Sequence, residues 1–309
     1  MGRIGRKREG APVNIREALR RASQALAQAA SEEAALEAEL LLVHTLATDR
    51  THLYQRLSDD LSPGAADAFD ALLQRRLAHE PVPYILGRKE FFGLEFEVTP
   101  AAIIPRPETE TLVELVLAFC ASRRSGGPLR IADVGVGCGA IAVSLAVSLP
   151  QAEVIAVDLS AEALALARRN AERHGVAERI DFRQGDLLAP LAAHPEPKSG
   201  VSRASSRTVD AIAANLPYVR TADFEAGPPE IREHEPRLGL EGGPDGLRLV
   251  ERLLRDAPGH LKPGGALFAE IGEEQGEAAL GLARACFPEA RIEIERDLSA
   301  LDRVLVVRT

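Results

Sequence analysis

The chain has 309 residues, 46% of them hydrophobic, with 37 Lys and Arg against 46 Asp and Glu for a net charge of −9. That is material for one large or two unequal globular domains, and no apolar run approaches the roughly 18 residues of a membrane span. The acidic balance argues against a domain built to grip nucleic-acid phosphate, which needs a basic face.

Residues 1–13 carry Arg3, Arg6, Lys7 and Arg8 against Glu9 and lead into no apolar stretch, so they read as a disordered basic tail and not as a secretory signal. Residues 14–82 read as a small helical bundle. Asn14 caps a segment with Ile15, Ala18, Leu19, Ala22 and Leu26 at helical spacing. Ser31 with Glu32 and Glu33 opens a second helix, the early acids suiting its positive end. Ser62-Pro63 starts a third, striped by Phe69, Leu72, Leu73 and Leu77 and stopped by Pro81 and Pro83. Residues 83–107 form a connector: aromatic and β-branched residues from Tyr84 onward, with Gly87 and Gly93 as turn points, predict a hairpin or extended chain, and prolines fix the backbone up to Pro107.

Residues 108–309 form the larger domain. After a helix over 108–121 and the loop at 125–128, strands at 129–134, 152–158, 179–183, 210–214, 266–271 and 304–307 alternate with helices. Repeated strand–helix units imply an α/β fold, a parallel sheet with helices on both faces. Such sheets bind ligands at the carboxyl ends of their strands. Residues 195–207 are polar and aperiodic, hence a surface loop or disordered insertion. Cys120, Cys138 and Cys286 are too few and scattered for a disulfide framework, which suggests a reducing, cytoplasmic setting; the seven His show no ligand spacing, and no metal is expected.

The first strand runs into Asp133, Gly135, Val136, Gly137, Cys138 and Gly139. Glycines there allow a tight turn and bring backbone N–H groups and a helix N-terminus near a ligand. The same loop also satisfies a loose dinucleotide pattern. Asp133 lies where a carboxylate can meet a cationic ligand end, Asp158 closes the next strand within reach of a ribose diol, and Asp186, followed by Leu187, ends the third where it can accept from an adenine amino group. Each alone is an ordinary cap or turn residue; three at successive strand ends point to a cofactor site.

The fourth strand ends in Asn215-Leu216-Pro217-Tyr218. A turn would explain Asn and Pro, but the segment also supplies what a planar NH₂ group needs: an Asn oxygen and the next carbonyl as acceptors, and a Tyr face to stack on. Both hydrogens held on acceptors would aim the nitrogen at an electrophilic methyl.

On these residues the chain resembles the HemK family of class I S-adenosylmethionine-dependent methyltransferases. The resemblance spans residues 15–307 and includes Pro83-Tyr84-Ile85-Leu86-Gly87, Phe91-Phe92-Gly93-Leu94, Ile104-Pro105-Arg106-Pro107-Glu108-Thr109-Glu110, Glu235-Pro236-Arg237-Leu238 and Gly242-Gly243-Pro244-Asp245-Gly246-Leu247. It implies a Rossmann-like, seven-stranded methyltransferase domain after the helical bundle, which would recognise the substrate, and the hairpin connector. It implies S-adenosyl-L-methionine as cofactor, bound by Gly135 to Gly139 and Asp158, with Asp186 and Leu187 bordering the adenine. Asn215, Leu216, Pro217 and Tyr218 would clamp a glutamine side-chain amide, Asn215 touching the cofactor as well. The expected partner is a peptide chain release factor presenting the Gln of its GGQ loop to a monomeric enzyme. The clamp usually has two prolines, and Leu216 stands for the first; it keeps the carbonyl but loses one fixed φ. Arg106 and Glu108 either help close the site or pair on the surface.

The same clamp suits glutamine in a ribosomal protein, or an amino group of a DNA or RNA base. Charge disfavours nucleic acid: residues 14–90 sum to −3 and residues 91–309 to −9. A dinucleotide-dependent oxidoreductase would leave Asn215 to Tyr218 unexplained. A non-catalytic module that lost activity through Leu216 ranks low because the acceptor atoms remain.

Overall fold

The structure, a computed structural model, describes residues 13–123, 128–192 and 208–309. The expected basic tail before Val13, the 195–207 segment and most of the 125–128 loop lie outside the described residues. The chain divides into two compact units, one ending at Gly87 and one beginning at Arg88.

The first unit holds α1 (Ile15–Gln28), α2 (Ala34–Thr45), α3 (Arg50–Gln55), α4 (Pro63–Leu77) and α5 (Val82–Leu86). Asn14 accepts the Glu17 N–H at 2.9 Å and Ser62 accepts that of Ala65 at 3.2 Å, satisfying N–H groups that a first helical turn leaves open. Ile15, Ala22, Leu26, Leu41, Leu42, Phe69 and Leu73 share one core. Inside it Arg76, 5% exposed, pairs with Glu37 at 2.9 Å. Ser31 does not open α2. Its N–H closes the end of α1 on Leu26 O and its hydroxyl donates to Glu37, so the helix starts at Ala34. Residues 84–86, expected to be extended, are helical, because a proline that ends one helix is also suited to the first turn of the next.

The second unit opens with the hairpin β1 (Arg88–Phe91) and β2 (Leu94–Glu97), turned at Phe92 and Gly93, both at positive φ. Then follow α6 (Glu110–Ser122), β3 (Arg130–Val134), α7 (Ala140–Ser148), β4 (Glu153–Asp158), α8 (Ala161–Arg173), β5 (Ile180–Gln184), α9 (Ala189–Ala192) and β6 (Val209–Ala214). The chain continues through β7 (Val219–Arg220), α10 (Thr221–Ala226), α11 (Pro229–His234), β8 (Glu241–Gly243), α12 (Arg248–Asp256), β9 (Leu261–Glu270), α13 (Gly276–Cys286), β10 (Arg291–Arg296) and β11 (Asp302–Arg308).

The main sheet has seven strands in the order β10-β11-β9-β6-β3-β4-β5. β9, β6, β3, β4 and β5 run parallel, while β11 is antiparallel to β9 and β10 to β11. Not read from the sequence was β10: Arg291 to Arg296 alternates isoleucine with charge, the pattern of a half-exposed edge strand with no buried run to announce it. β3 is flanked by β4 and β6, which the chain reaches in opposite directions, and this reversal opens a crevice at the carboxyl ends.

Asn170 on α8 is fully buried and ties three parts together: its amide donates to Glu97 O (2.9 Å) and Cys138 O (2.8 Å) and accepts the Glu97 N–H (2.8 Å). The hairpin is thereby fixed to the glycine loop. Asn170→Ala leaves three polar backbone groups unpaired and should lower unfolding free energy by about 3 kcal/mol, measured by chemical denaturation.

Candidate active site

A cavity of about 750 Å³ lies over the carboxyl ends of β3, β4, β5 and β6. The loop after β3 forms one edge. Gly135, Gly137 and Gly139 take φ of +82°, +54° and +89°. A Cβ at Gly135 would sit 3.1 Å from Leu216 Cδ2 and 3.4 Å from Asn215 O, so the glycine loop and the Asn215 segment meet backbone to side chain. The loop's N–H groups are used within the protein: Gly135 and Val136 donate to Val157 O (2.8 and 3.0 Å), Gly137 to Asp158 Oδ2 (2.9 Å) and Gly139 to Val136 O (2.8 Å). The glycines of the loop thus offer a ligand close approach and not free donors. Gly135 and Gly137 line the cavity, whereas Val136, Cys138 and Gly139 do not. Burial pushes the Cys138 thiol up to about 12, which leaves it inert.

The three strand-end acids have different fates. Asp133 is fully buried and off the cavity wall; it accepts the Ala142 N–H at 2.9 Å in the first turn of α7, and its Oδ1 has no partner among the described residues. It therefore supports the helix behind the loop and does not face the cavity. Burial is the main cause of a pKa pushed up to about 7. Asp158 lines the cavity and accepts N–H groups from Gly137 and Ser160, each at 2.9 Å; burial raises its pKa above the ordinary carboxylate value. Asp186 also lines the cavity, half-exposed, with its Oδ2 on Arg252 at 2.6 Å. Leu187 beside it is buried and held at φ +48°, a conformation costly for a side chain larger than glycine and concentrated at functional sites. Apolar walls from Leu159, Leu187 and Leu249 between two carboxylates suit a nucleoside with a flat base and a diol. The residues present thus fit S-adenosylmethionine.

Asn215, Leu216 and Pro217 form the opposite edge. Asn215 Nδ2 donates to the buried Thr109 hydroxyl at 3.0 Å. Its Oδ1 and the Leu216 carbonyl accept no hydrogen bond among the described residues. The Leu216 side chain is 4% exposed and fills space against Gly135. Tyr218 is off the cavity wall, and its hydroxyl donates to Glu270 Oε1 at 3.1 Å. Burial and the nearby carboxylate hold the phenol well above its ordinary pKa, so it stays protonated.

The segment is braced from behind by residues that sequence reasoning assigned no role. Gln275 donates to Tyr218 O (2.9 Å) and Asp245 O (3.0 Å) while accepting the Gly272 N–H (2.8 Å). A Cβ at Gly242 would fall 2.5 Å from Pro217 O, and one at Gly246, where φ is +77°, 2.1 Å from Tyr218 O. Arg106 is no surface pair: it meets Glu235, whose side chain is 1% exposed and which also accepts the Ile104 N–H at 3.1 Å. This pairing anchors the residues beside Ile103 and Leu238, both on the cavity wall. Glu108 is not on that wall.

Two consequences are measurable. Gly246→Ala must displace the Tyr218 carbonyl, so kcat should fall roughly tenfold or more while the protein remains folded by circular dichroism. Asp133 binds a proton in the folded chain between pH 3.8 and about 7 that the unfolded chain has lost, so its contribution to stability declines as pH rises through that window. Asp133→Asn keeps an oxygen for Ala142 and removes this titration. In the ligand-free protein, its Tm relative to the wild type should rise from about pH 4 to about pH 8; a flat difference would contradict the shift.

Comparison with known proteins agrees with this arrangement. The family described as PrmC N-terminal domain matches residues 17–87, and the one described as methyltransferase domain matches residues 131–229. The release factor glutamine methyltransferase of Moorella thermoacetica is 42% identical over 291 residues, covering 94% of this chain and 97% of that protein. Its counterpart in Geobacter sulfurreducens is 42% identical over 281 residues, 91% of each chain. That of Cereibacter sphaeroides is 41% identical over 292 residues, 94% of this chain and 97% of the other. With the helical unit, the methyltransferase sheet and near-full-length relatives all in agreement, the chain belongs to the family of release factor glutamine methyltransferases.

Proposed function

We infer that this protein transfers a methyl group from S-adenosyl-L-methionine to the side-chain amide nitrogen of a glutamine in a peptide chain release factor, the Gln of its GGQ loop. The observation that carries the reading is the pair of open acceptors, Asn215 Oδ1 and Leu216 O, on the cavity edge that touches the glycine loop. S-adenosylmethionine, when bound, supplies a methyl group activated by a sulfonium. Gly135, Gly137, Asp158, Asp186 and Leu187 hold it in our reading, with Asp158 toward the ribose and Asp186 and Leu187 toward the adenine.

An amide nitrogen is a poor nucleophile because its lone pair is delocalised. Two acceptors at fixed positions engage both of its hydrogens and orient the nitrogen toward the cofactor side of the cavity, which favours reaction through geometry. The chain need not supply a strong base, since the methylated nitrogen loses its extra proton readily to water. Leu216 keeps the second carbonyl available, and its buried side chain fixes the turn by packing where a proline would fix it by its ring.

The choice of a protein substrate over a nucleic-acid base is supported by charge, −9 over residues 91–309. The helical unit matching the PrmC N-terminal family is the segment we assign to recognition of the release factor. The cavity and its braces lie within residues 88–309, so a monomer suffices. We place the enzyme with its substrate in the cytoplasm, in keeping with three unpaired cysteines. Among the described residues no helix is long and apolar enough to cross a membrane.

Purified protein with labelled S-adenosylmethionine should label a release factor and not the same factor with its GGQ glutamine replaced. Labelling of DNA or of a ribosomal protein instead would overturn the substrate assignment. Asn215→Ala should lower kcat by roughly a hundredfold while changing the Kd for S-adenosylmethionine by only about threefold. Equal losses would mean that Asn215 serves the cofactor alone.

A further inference from the structure

The turn that joins β10 to β11, residues 297–301, is an uncommon place for leucine. Hairpin turns are mostly built from Asn, Asp, Gly and Ser, yet Leu298 is completely exposed there and Leu301 is 41% exposed. A single exposed leucine needs no explanation. These two are held out by a fixed framework. The Asp297 carboxylate, 5% exposed, accepts the Ser299 N–H (2.9 Å), the Leu301 N–H (3.1 Å) and Arg303 Nε (3.0 Å). The Asp297 N–H donates to Leu301 O at 3.0 Å and the Ala300 N–H to Asp297 O at 2.9 Å, while Ala300 sits at φ +61°, a conformation unfavourable for a residue with a Cβ. The backbone of the tip is bonded in place before any partner arrives, so covering its leucines costs little ordering entropy.

The tip also stands at the end of the sheet where a substrate glutamine must enter. β11 starts where β9 ends: Val304 aligns with Glu270, and the Ile271 N–H donates to Arg303 O at 2.9 Å. In β9, Ala269 lies opposite Ala214, the residue before Asn215. Two strand spacings, about 10 Å, separate the line of β11 from that of β6, and the turn projects beyond the same end of the sheet as the Asn215–Tyr218 segment. A stable protein–protein contact covers about 800 Å² on each partner, a patch roughly 30 Å across. Such a footprint centred on Asn215 reaches the tip. The flank of the tip is acidic. Glu273, Glu274 and Glu277 are exposed, and the Gly276 backbone among them lies so close to Asp302 that a Cβ there would collide with its carboxylate. Arg220 pairs with Glu274, whereas Glu273 and Glu277 have no ion pair among the described residues.

We propose that the 297–301 tip is a docking point for the release factor, with Leu298 and Leu301 entering an apolar recess, edged by basic residues, on the domain that carries the substrate glutamine. The bonded turn, its exposed leucines and its place beside the substrate edge then have one explanation. The contact lies away from the reacting atoms and is the same before and during methyl transfer, so it acts on affinity for the protein substrate and not on the chemical step. The inference rests on the reading that the glutamine belongs to a release factor.

The test uses the full chain with Leu298→Ser, with Leu298→Ser and Leu301→Ser together, and with Val147→Ser. The last removes an exposed apolar side chain near the far end of α7, away from the substrate edge. Leu298→Ser should raise both the Kd for a release factor, measured by titration calorimetry, and its KM by about tenfold or more. Its kcat at saturating release factor and its Kd for S-adenosylmethionine should stay within about twofold of wild type. The double variant should bind more weakly still, and Val147→Ser should match wild type throughout. Glu277→Lys should raise the release-factor Kd by about threefold or more at low salt and lose that effect at high salt. A double variant that binds the release factor as tightly as wild type, or one that loses kcat with KM unchanged, would overturn the proposal and leave the function standing. An effect of Glu277→Lys that is absent, or equal at both salt concentrations, would overturn the basic edge. A wild-type protein that neither binds nor labels a release factor would overturn the function and this inference with it.

Discussion

The site depends on a register. β3 and β6 lie side by side and parallel, with Val134 opposite Ala214, so the residues that follow them, Gly135 and Asn215, emerge as neighbours. Adjacent strands are separated by about 4.8 Å, and Gly135 turns out of β3 at φ +82°, a conformation that favours glycine. The contact from the Gly135 position to Leu216 and Asn215 is the result. In our reading the cofactor edge and the substrate edge thus follow the carboxyl ends of two neighbouring strands of one hydrogen-bonded ladder, and their separation is set by the sheet.

Around that contact the polar groups are committed before any ligand arrives. Val157 O receives two loop N–H groups, Asp158 receives one more, and Gln275 holds two carbonyls on the other side. The loop and the Asn215 segment are therefore held in place, and the acceptors left open among the described residues include Asn215 Oδ1 and the Leu216 carbonyl, on what we read as the substrate side, and the remaining lone pairs of Asp158 and Asp186. Preorganised acceptors of this kind favour reaction because little rearrangement remains once the substrate is bound.

Much of the fold was legible because its signals are local. The glycine loop, the strand–helix alternation, the Asn14 cap and the tetrapeptide after β6 are each contained in a few consecutive residues, and the family resemblance rests on local stretches of the same kind. Partnerships across the sequence were not legible. Thr109 and Asn215 are 106 positions apart, Arg106 and Glu235 are 129 apart, and nothing near either end names the other. Asp133 was assigned to the ligand because it ends a strand, yet alternation along that strand turns it beneath α7. Glu270 left a trace that could have been used: it is the single charge in the apolar run from Ala266 to Ile271, and a lone acid in a buried strand calls for a partner.

The pairing of β7 with β8 has a consequence for how such an enzyme can change. Val219 aligns with Glu241 and Arg220 with Gly243, and the Val219 N–H reaches Leu240 O at 2.9 Å. The excursion through α10 and α11 is therefore closed at its base, directly behind the clamp. Because closure entropy grows slowly with loop length, residues 221–234 can be lengthened, shortened or exchanged without moving the base. Phe224 and Glu225 in that excursion still touch Arg237 on the cavity wall, so a change there reaches the cavity through one side chain while the paired base stays where it is.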